Sequence, residues 1–394
     1  MNIVEKINMA DCTGCHSCYN ICPVYAIHME SNSEGFLIPN INEKKCIHCG
    51  NCIKVCPVIR KPMIHSGANK VFAMYSLDEE RHKKSASGGL FATAAEFILT
   101  QGGYAVGAAF DEKLHLRHII IDTVKDLPKL VGTKYVQSEI GDIYVKVKNL
   151  LNTGKKVLFS GTACQVAGLK MYLQKDYENL YSMDLICHGV PSPLVWETYL
   201  KALSPEDKVI DMTFRDKSKD NAGWPLVFRC ESGKEIKEKY QDNRFIKGFI
   251  KNLYLRQCCY RCKYKGLKRC SDITIGDFWG LERFDNSLIN PFGTSVGIIH
   301  SENGMWLFNN ILDKIQYKEM PEKIVSIDNS CLIESVPLTK KRKLFFKYYR
   351  KWGFFKTIDK LSKPTLFEKI LQIKWKIRIK MGIMIKHWRK MFYE

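Results

Sequence analysis

The chain has 394 residues, enough for two or three domains, and its 45% apolar content is that of a globular protein. The net charge of +20 is uneven: residues 1–62 carry +1, residues 63–337 carry +4 and residues 338–394 carry +15. The charge is thus a property of a tail, which argues against a nucleic-acid binder, and no run of 18 apolar residues or N-terminal apolar leader segment points to a membrane span or secretion.

The chain opens on two cysteine runs of one pattern. Cys12, Cys15, Cys18 and Cys22 are followed by Pro23; Cys46, Cys49, Cys52 and Cys56 are followed by Pro57. Three thiolates in such a loop wrap three corners of one 4Fe–4S cubane, and the fourth, ahead of the proline, serves the other cluster. The spacing therefore predicts Cys12, Cys15, Cys18 and Cys56 on one cluster, and Cys46, Cys49, Cys52 and Cys22 on the second. Zinc needs one set of four ligands, not two interlocked sets. Gly14 and Gly50 would relieve backbone crowding beside the ligands. His16 and His48 read as neighbours of the clusters or exposed residues, because the cysteine count is already complete. Thiolate clusters need a reducing compartment, so a cytoplasmic setting is expected.

After a linker at residues 57–70, strand and helix patterns alternate. Strands are expected at 71–76, 104–110, 114–121, 156–160 and 180–186. Helices are expected over Leu90–Thr100, Ser138–Leu151, from the end of the 156–160 strand through Leu173, and over Ser192–Leu203. Residues 209–240 read as paired strands. This is a mixed α/β domain with helices on the faces of a sheet.

Four places in it could carry chemistry. Ser87, Gly88 and Gly89 precede a helix, where Ser87 can act as cap and backbone amides can meet an anion. Cys164 lies where a strand gives way to a helix, a position that stabilises a thiolate. Cys187, with His188 beside it, lies at another strand end, and ligands of open α/β sheets gather at such ends. Cys258, Cys259 and Cys262 form the fourth group. Cys164, Cys187, Cys259 and Cys262 could make a third four-thiolate site; a redox disulfide or zinc at Cys259 and Cys262 stays open. Cys230 and Cys331 read as small buried apolar residues. His188 reads as a hydrogen-bonded structural histidine, with proton donation as its catalytic alternative.

Five segments, SASGGLF (85–91), GTKYVQS (132–138), VLFSGTACQVAGLK (157–170), DLICHGVPSP (184–193) and SDITIGDFWG (271–280), occur in one order. Together they resemble the coenzyme F420 hydrogenase/dehydrogenase beta-subunit family, over roughly residues 70–335, with a fused N-terminal dicluster ferredoxin module. The resemblance implies an FAD and a further 4Fe–4S cluster in the middle domain. It implies Ser87, Gly88, Gly89, Thr133, Lys134, Tyr135, Gln137 and Ser138 as flavin-site residues, with Asp277, Phe278 and Trp279 near flavin or substrate. It makes Cys164, Cys187, Cys259 and Cys262 cluster ligands, with Cys258 or Cys270 as competitors for the last position. Ala163 stands where the family more often has proline. Relatives act on the deazaflavin coenzyme F420 or a chlorophyll intermediate, and some bacterial members accompany polysaccharide biosynthesis.

Residues 338–394 mix Lys and Arg with Trp352, Phe354, Phe355, Trp375, Trp388 and Phe392. Leu366, Ile370, Ile373, Ile377, Met381, Met384, Trp388 and Met391 recur at helical steps. A basic amphipathic helix could dock on an anionic membrane surface or an acidic partner, or pack on its own domain. The expected organisation is thus α+β with α/β: a dicluster ferredoxin-type domain (1–62), a mixed α/β flavin- and cluster-binding domain (63–337) and a basic helical tail (338–394). Its expected function is an iron–sulfur flavoprotein oxidoreductase. The alternative is a non-catalytic electron-transfer subunit fed by a ferredoxin-type donor.

Overall fold

The computed structural model of the protein describes residues 1–65, 67, 69–218 and 224–363. The N-terminal module is small. Strands β1 (Ile27–Ser31) and β2 (Leu37–Ile41) form an antiparallel hairpin. Each cysteine loop runs into a single short helix, Ser17–Ile21 or Asn51–Lys54. The turn into each helix is left-handed, at His16 (φ 62°) and at Gly50 (φ 72°). Only Ile3, Ile27 and a few partners make an apolar core here, and Cys52 and Cys56 belong to it. A module this small needs a staple besides its core.

The larger part is built on an eight-stranded sheet. Its strands are β3 (Lys70–Ser76), β4 (Tyr104–Phe110), β5 (Leu116–Ile121), β6 (Val157–Thr162) and β7 (Leu180–Leu185). A separate antiparallel sheet holds β8 (Val209–Thr213), β9 (Leu226–Cys230) and β10 (Glu235–Glu238). The large sheet is completed by β11 (Ile273–Asp277), β12 (Ser295–Ile299) and β13 (Ile315–Glu319), in the order β13-β3-β12-β11-β7-β6-β4-β5. Its centre, β11, β7, β6 and β4, is parallel. The two-residue strand period decides which core each side chain joins. Leu158 packs on the face covered by helix Leu90–Thr100, and Val157 and Phe159 on the face covered by helices Ile143–Asn152 and Ala163–Leu173.

Three local expectations are corrected. The helix expected from Ser138 begins at Ile143, because the Glu139 amide donates to Leu116 O at 2.9 Å and Gly141 turns with φ 57°. Helix Leu90–Thr100 is capped by Gly89, not Ser87, whose hydroxyl instead donates to Thr294 O at 3.1 Å. A further helix, Glu79–Lys84, is capped by Asp78, which accepts from the Arg81 amide at 2.9 Å. The stretch 340–361 is a helix broken at Gly353 (φ 73°). It buries Phe345, Phe346, Phe354 and Ile358 in the core around Trp196, Tyr199 and Phe245. Its apolar side is thereby used within the domain. The periodic stretch from Leu366 to Met391 lies outside the described residues.

Two arginines of the larger part grip the module. Arg342, 5% exposed, meets Glu34 with both terminal nitrogens at 2.9 and 2.6 Å. Arg256, 3% exposed, donates to Cys12 O at 2.7 Å and to Leu37 O at 2.9 Å. Breaking one side of such a buried pair leaves a charge unpaired. Arg342→Ala is expected to cost about 3 kcal/mol, read as a lower urea midpoint under anaerobic conditions; a loss below about 1 kcal/mol would put the pair among surface bridges.

Candidate functional site

The module's loops enclose two thiol-lined cavities. One, of about 330 Å³, is lined by Cys12, Cys15, Cys18 and Cys56. The other, of about 360 Å³, is lined by Cys22, Cys46, Cys49 and Cys52. The fold thus gathers the thiols in crossed sets, each with three from one loop and one from the other. The two differ in setting. Cys12, Cys15 and Cys56 are buried, whereas Cys49 is exposed and Ile47 and Tyr25 around it are 60% and 86% exposed. The first cavity faces the protein and the second faces solvent.

A third cavity, of about 670 Å³, lies where the carboxyl ends of the parallel strands meet the module. Cys164 comes from the start of the helix after β6, Cys187 from just beyond β7, and Cys258, Cys259 and Cys262 from a 3-10 turn. Asp11, Thr13 and Val58, neighbours of Cys12 and Cys56, close its near side. Five basic side chains, Arg256, Arg261, Lys263, Lys265 and Arg269, line it against the single acid Asp11. Such surroundings suit an anionic thiolate centre. The thiols themselves need one. Burial, then the nearby Cys262, Cys187 and Cys259, push the Cys164 thiol well above its usual value. Burial outweighs the helix terminus that was expected to favour the Cys164 thiolate. Burial, then Cys15, Cys12 and Cys56, does the same to Cys18. Packed thiols of this kind ionise together only around a cation, so each set fits iron.

The other cysteines fall away from this arrangement. Cys270, 8% exposed, packs in the core with Tyr144 and Val166 and lines none of the three cavities. Cys230 is buried with Phe228. Cys331, read as a buried apolar residue, is half-buried, with its sulfur 3.4 Å from His188 Nδ1. His188 Nε2 meets Asn252 Oδ1 at 2.6 Å, so both ring nitrogens have neighbours. His188 lines the third cavity. His16 is 2% exposed and its Nδ1 finds no partner, whereas His48 lies at the surface.

The remaining candidate residues divide into two places. Ser87, Tyr135 and Asp277 converge on Arg215, which sequence reading missed. Arg215 donates to Ala86 O at 2.9 Å, Tyr135 Oη at 2.6 Å and Asp277 Oδ2 at 2.9 Å. Beside it Lys217, 2% exposed, donates to the carbonyls of Ser87 and Phe292. Lys134 donates to the carbonyls of Leu130 and Val131 at 3.1 and 2.8 Å. Among the described residues neither lysine touches a carboxylate, and burial pushes both down to about 7. The Thr133 hydroxyl is buried without a partner. Unpaired cations and an orphaned hydroxyl fit an anionic, phosphate-bearing group. Gly88 does not offer an open cradle, because a Cβ there would lie 2.4 Å from Met74 O. Phe278 is buried in a neighbouring core, and Trp279 is 55% exposed.

Gln137 and Ser138 sit elsewhere, against the module. Gln137 donates to Thr13 O at 3.1 Å and accepts from Arg256 at 3.0 Å, and Ser138 Oγ accepts from Gln165 at 3.0 Å. Arg256 was also missed, though its place two residues before Cys258 was a signal. Arg215 and Lys217 gave none, lying in a polar stretch after β8.

Fold and thiol sets define an iron–sulfur electron-transfer protein. Its residues 154–323 match the family described as the C terminus of the coenzyme F420 hydrogenase/dehydrogenase beta subunit, and residues 11–59 and 38–89 match 4Fe–4S dicluster domains. The chain therefore belongs, through these segments, to the beta-subunit family with an N-terminal dicluster ferredoxin domain. No curated protein matches it. Among solved structures, a chain of the F420-reducing NiFe hydrogenase complex from Methanosarcina barkeri is similar, at 18% identity and a TM-score of 0.42, covering 74% of this chain and 89% of that one. No helix among the described residues is long and apolar enough to cross a membrane.

Cys259→Ser is expected to remove about four irons from the purified protein and Cys270→Ser none, by anaerobic iron assay. Unchanged iron in Cys259→Ser would exclude it as a ligand.

Proposed function

We propose that the protein is an oxidoreductase with three 4Fe–4S clusters and an FAD, exchanging electrons between a one-electron protein carrier and a two-electron substrate. The observation that carries this reading is the third cavity. It brings Cys164, Cys187, Cys259 and Cys262, from three separated segments, against the loops of the dicluster module. Bound clusters would supply single-electron exchange, and a flavin would convert single electrons to pairs.

In this reading residues 1–62 are the inlet or outlet, with the solvent-facing Cys46 and Cys49 loop meeting the carrier. Cys12, Cys15, Cys18 and Cys56 hold the inner cluster against the third. Lys134, Lys217 and Thr133 would hold the flavin's phosphates, and Arg215 would keep Tyr135 and Asp277 in place beside it. Asp277 ends β11, which runs parallel to β7, the strand leading to Cys187. The cationic site and the third thiol set thus share one edge of the sheet. The family's description makes a deazaflavin the first substrate class to test, with a substrate tied to polysaccharide assembly as the second.

One observation favours a relay without flavin. The Ser87 hydroxyl and the Gly88 amide are both spent within the chain, the latter on Ser295 Oγ at 2.8 Å. Anaerobic purification separates the two readings: about twelve irons and one flavin per chain support the enzyme, and about twelve irons without flavin support the relay. About eight irons would contradict both.

The two lysines add a pH test. An anion bound beside Lys134 and Lys217 raises their values above about 7. Flavin affinity is then full below about pH 7 and falls as pH rises through the raised values. Equilibrium dialysis of FAD from pH 6 to 9 checks this, and affinity that holds or grows would remove both lysines from the site.

A further inference from the structure

Tyr264 lies two residues beyond Cys262 and lines the third cavity. Its ring packs against the core that contains Tyr144 and Cys270. Its hydroxyl is shut off from solvent and meets no hydrogen-bond partner among the described residues. A buried O–H without an acceptor costs about 1–3 kcal/mol, so an acceptor outside the polypeptide is called for. The groups within electrostatic reach of this oxygen are Cys164 and Cys258 of the third set, and Cys15 and Cys56 of the first. The hydroxyl thus stands between the two thiol sets. Tyr144 makes the contrast. It also lies within reach of Cys15 and Cys164, but its hydroxyl already donates to Gln165 O at 2.7 Å.

We infer that the Tyr264 hydroxyl donates a hydrogen bond to a sulfur of the cluster held in the third cavity, on the side that faces the inner cluster of the module. The inference rests on the proposed third cluster. A hydrogen bond to cluster sulfur favours the reduced, more negative state and raises the potential. Tyr264 therefore sets how readily an electron passes between the module and the third centre.

The test uses the full-length, anaerobically purified protein. Its three clusters are titrated potentiometrically and followed by EPR, in wild type, Tyr264→Phe and Tyr144→Phe. Tyr264→Phe is expected to keep about twelve irons and to lower the potential of the third cluster alone. At the potential where the wild-type cluster is half reduced, the ratio of reduced to oxidised falls about tenfold, the size of one hydrogen bond to a charged group. Tyr144→Phe leaves that ratio unchanged. Should the phenylalanine variant lose iron, Tyr264→Met, which also keeps apolar bulk without a hydroxyl, takes its place. An unmoved third potential at full iron content would overturn the inference, as would an equal shift in Tyr144→Phe. A wild type with about eight irons would overturn the third cluster itself, and is told apart by the iron count.

Discussion

The structure depends on one guanidinium. Arg256 is buried between the two parts of the chain and reaches Cys12 O, Leu37 O and Gln137 Oε1 at once. Its fork fixes the direction of the first cysteine loop, because three donors on one rigid plane leave little freedom in angle. The same residue sits two positions before Cys258, so the loop that supplies the third thiol set is tied to the loop that supplies the first. The cost of burying this charge is met by neutral carbonyls and by the thiolates its neighbours are built to carry. Gly14 shows how close the approach is: with φ 65°, a Cβ there would lie 2.8 Å from an Arg256 nitrogen.

From this contact follows an asymmetry. The inner thiol set is enclosed by both parts of the chain, and the outer set opens to solvent beside exposed Ile47 and Tyr25. An electron carrier can approach only the outer one. The carboxyl ends of β6, β7 and β11 then place Cys164, Cys187 and Asp277 along one edge of the sheet. Positive charge accumulates there in two forms. Around the thiols it faces the charge that iron and sulfur would bring, and around Lys134, Arg215 and Lys217 it exceeds the one contacting carboxylate, Asp277. A protein that buries unpaired cations has arranged for an anion.

Much of this was legible in the sequence. The two cysteine runs carry their grouping in their spacing, since three thiols one turn apart must face one point. The parallel strands were legible as apolar runs, and Leu90–Thr100 as a helix from its pattern. Ser138–Leu151 misled because its apolar steps suit a helix, while the backbone of Glu139 is taken by the edge of β5. Cys258 and Cys270 could not be sorted by spacing; burial in a separate core removes Cys270, whereas Cys258 shares the cavity. Arg215, Lys217 and Tyr264 were not legible, because each matters through partners far along the chain. The helical part of the basic stretch read as a tail, yet Phe345 and Phe354 serve the core.

The central claim is that the module and the third thiol set form one continuous electron path. Neighbouring reduced 4Fe–4S clusters interact magnetically, so EPR of the fully reduced protein tests it most directly. The account predicts spin–spin broadening from three coupled centres, with one interaction lost in Cys259→Ser while that of the module remains. A reduced spectrum of the two module clusters alone, unchanged by Cys259→Ser, would contradict it.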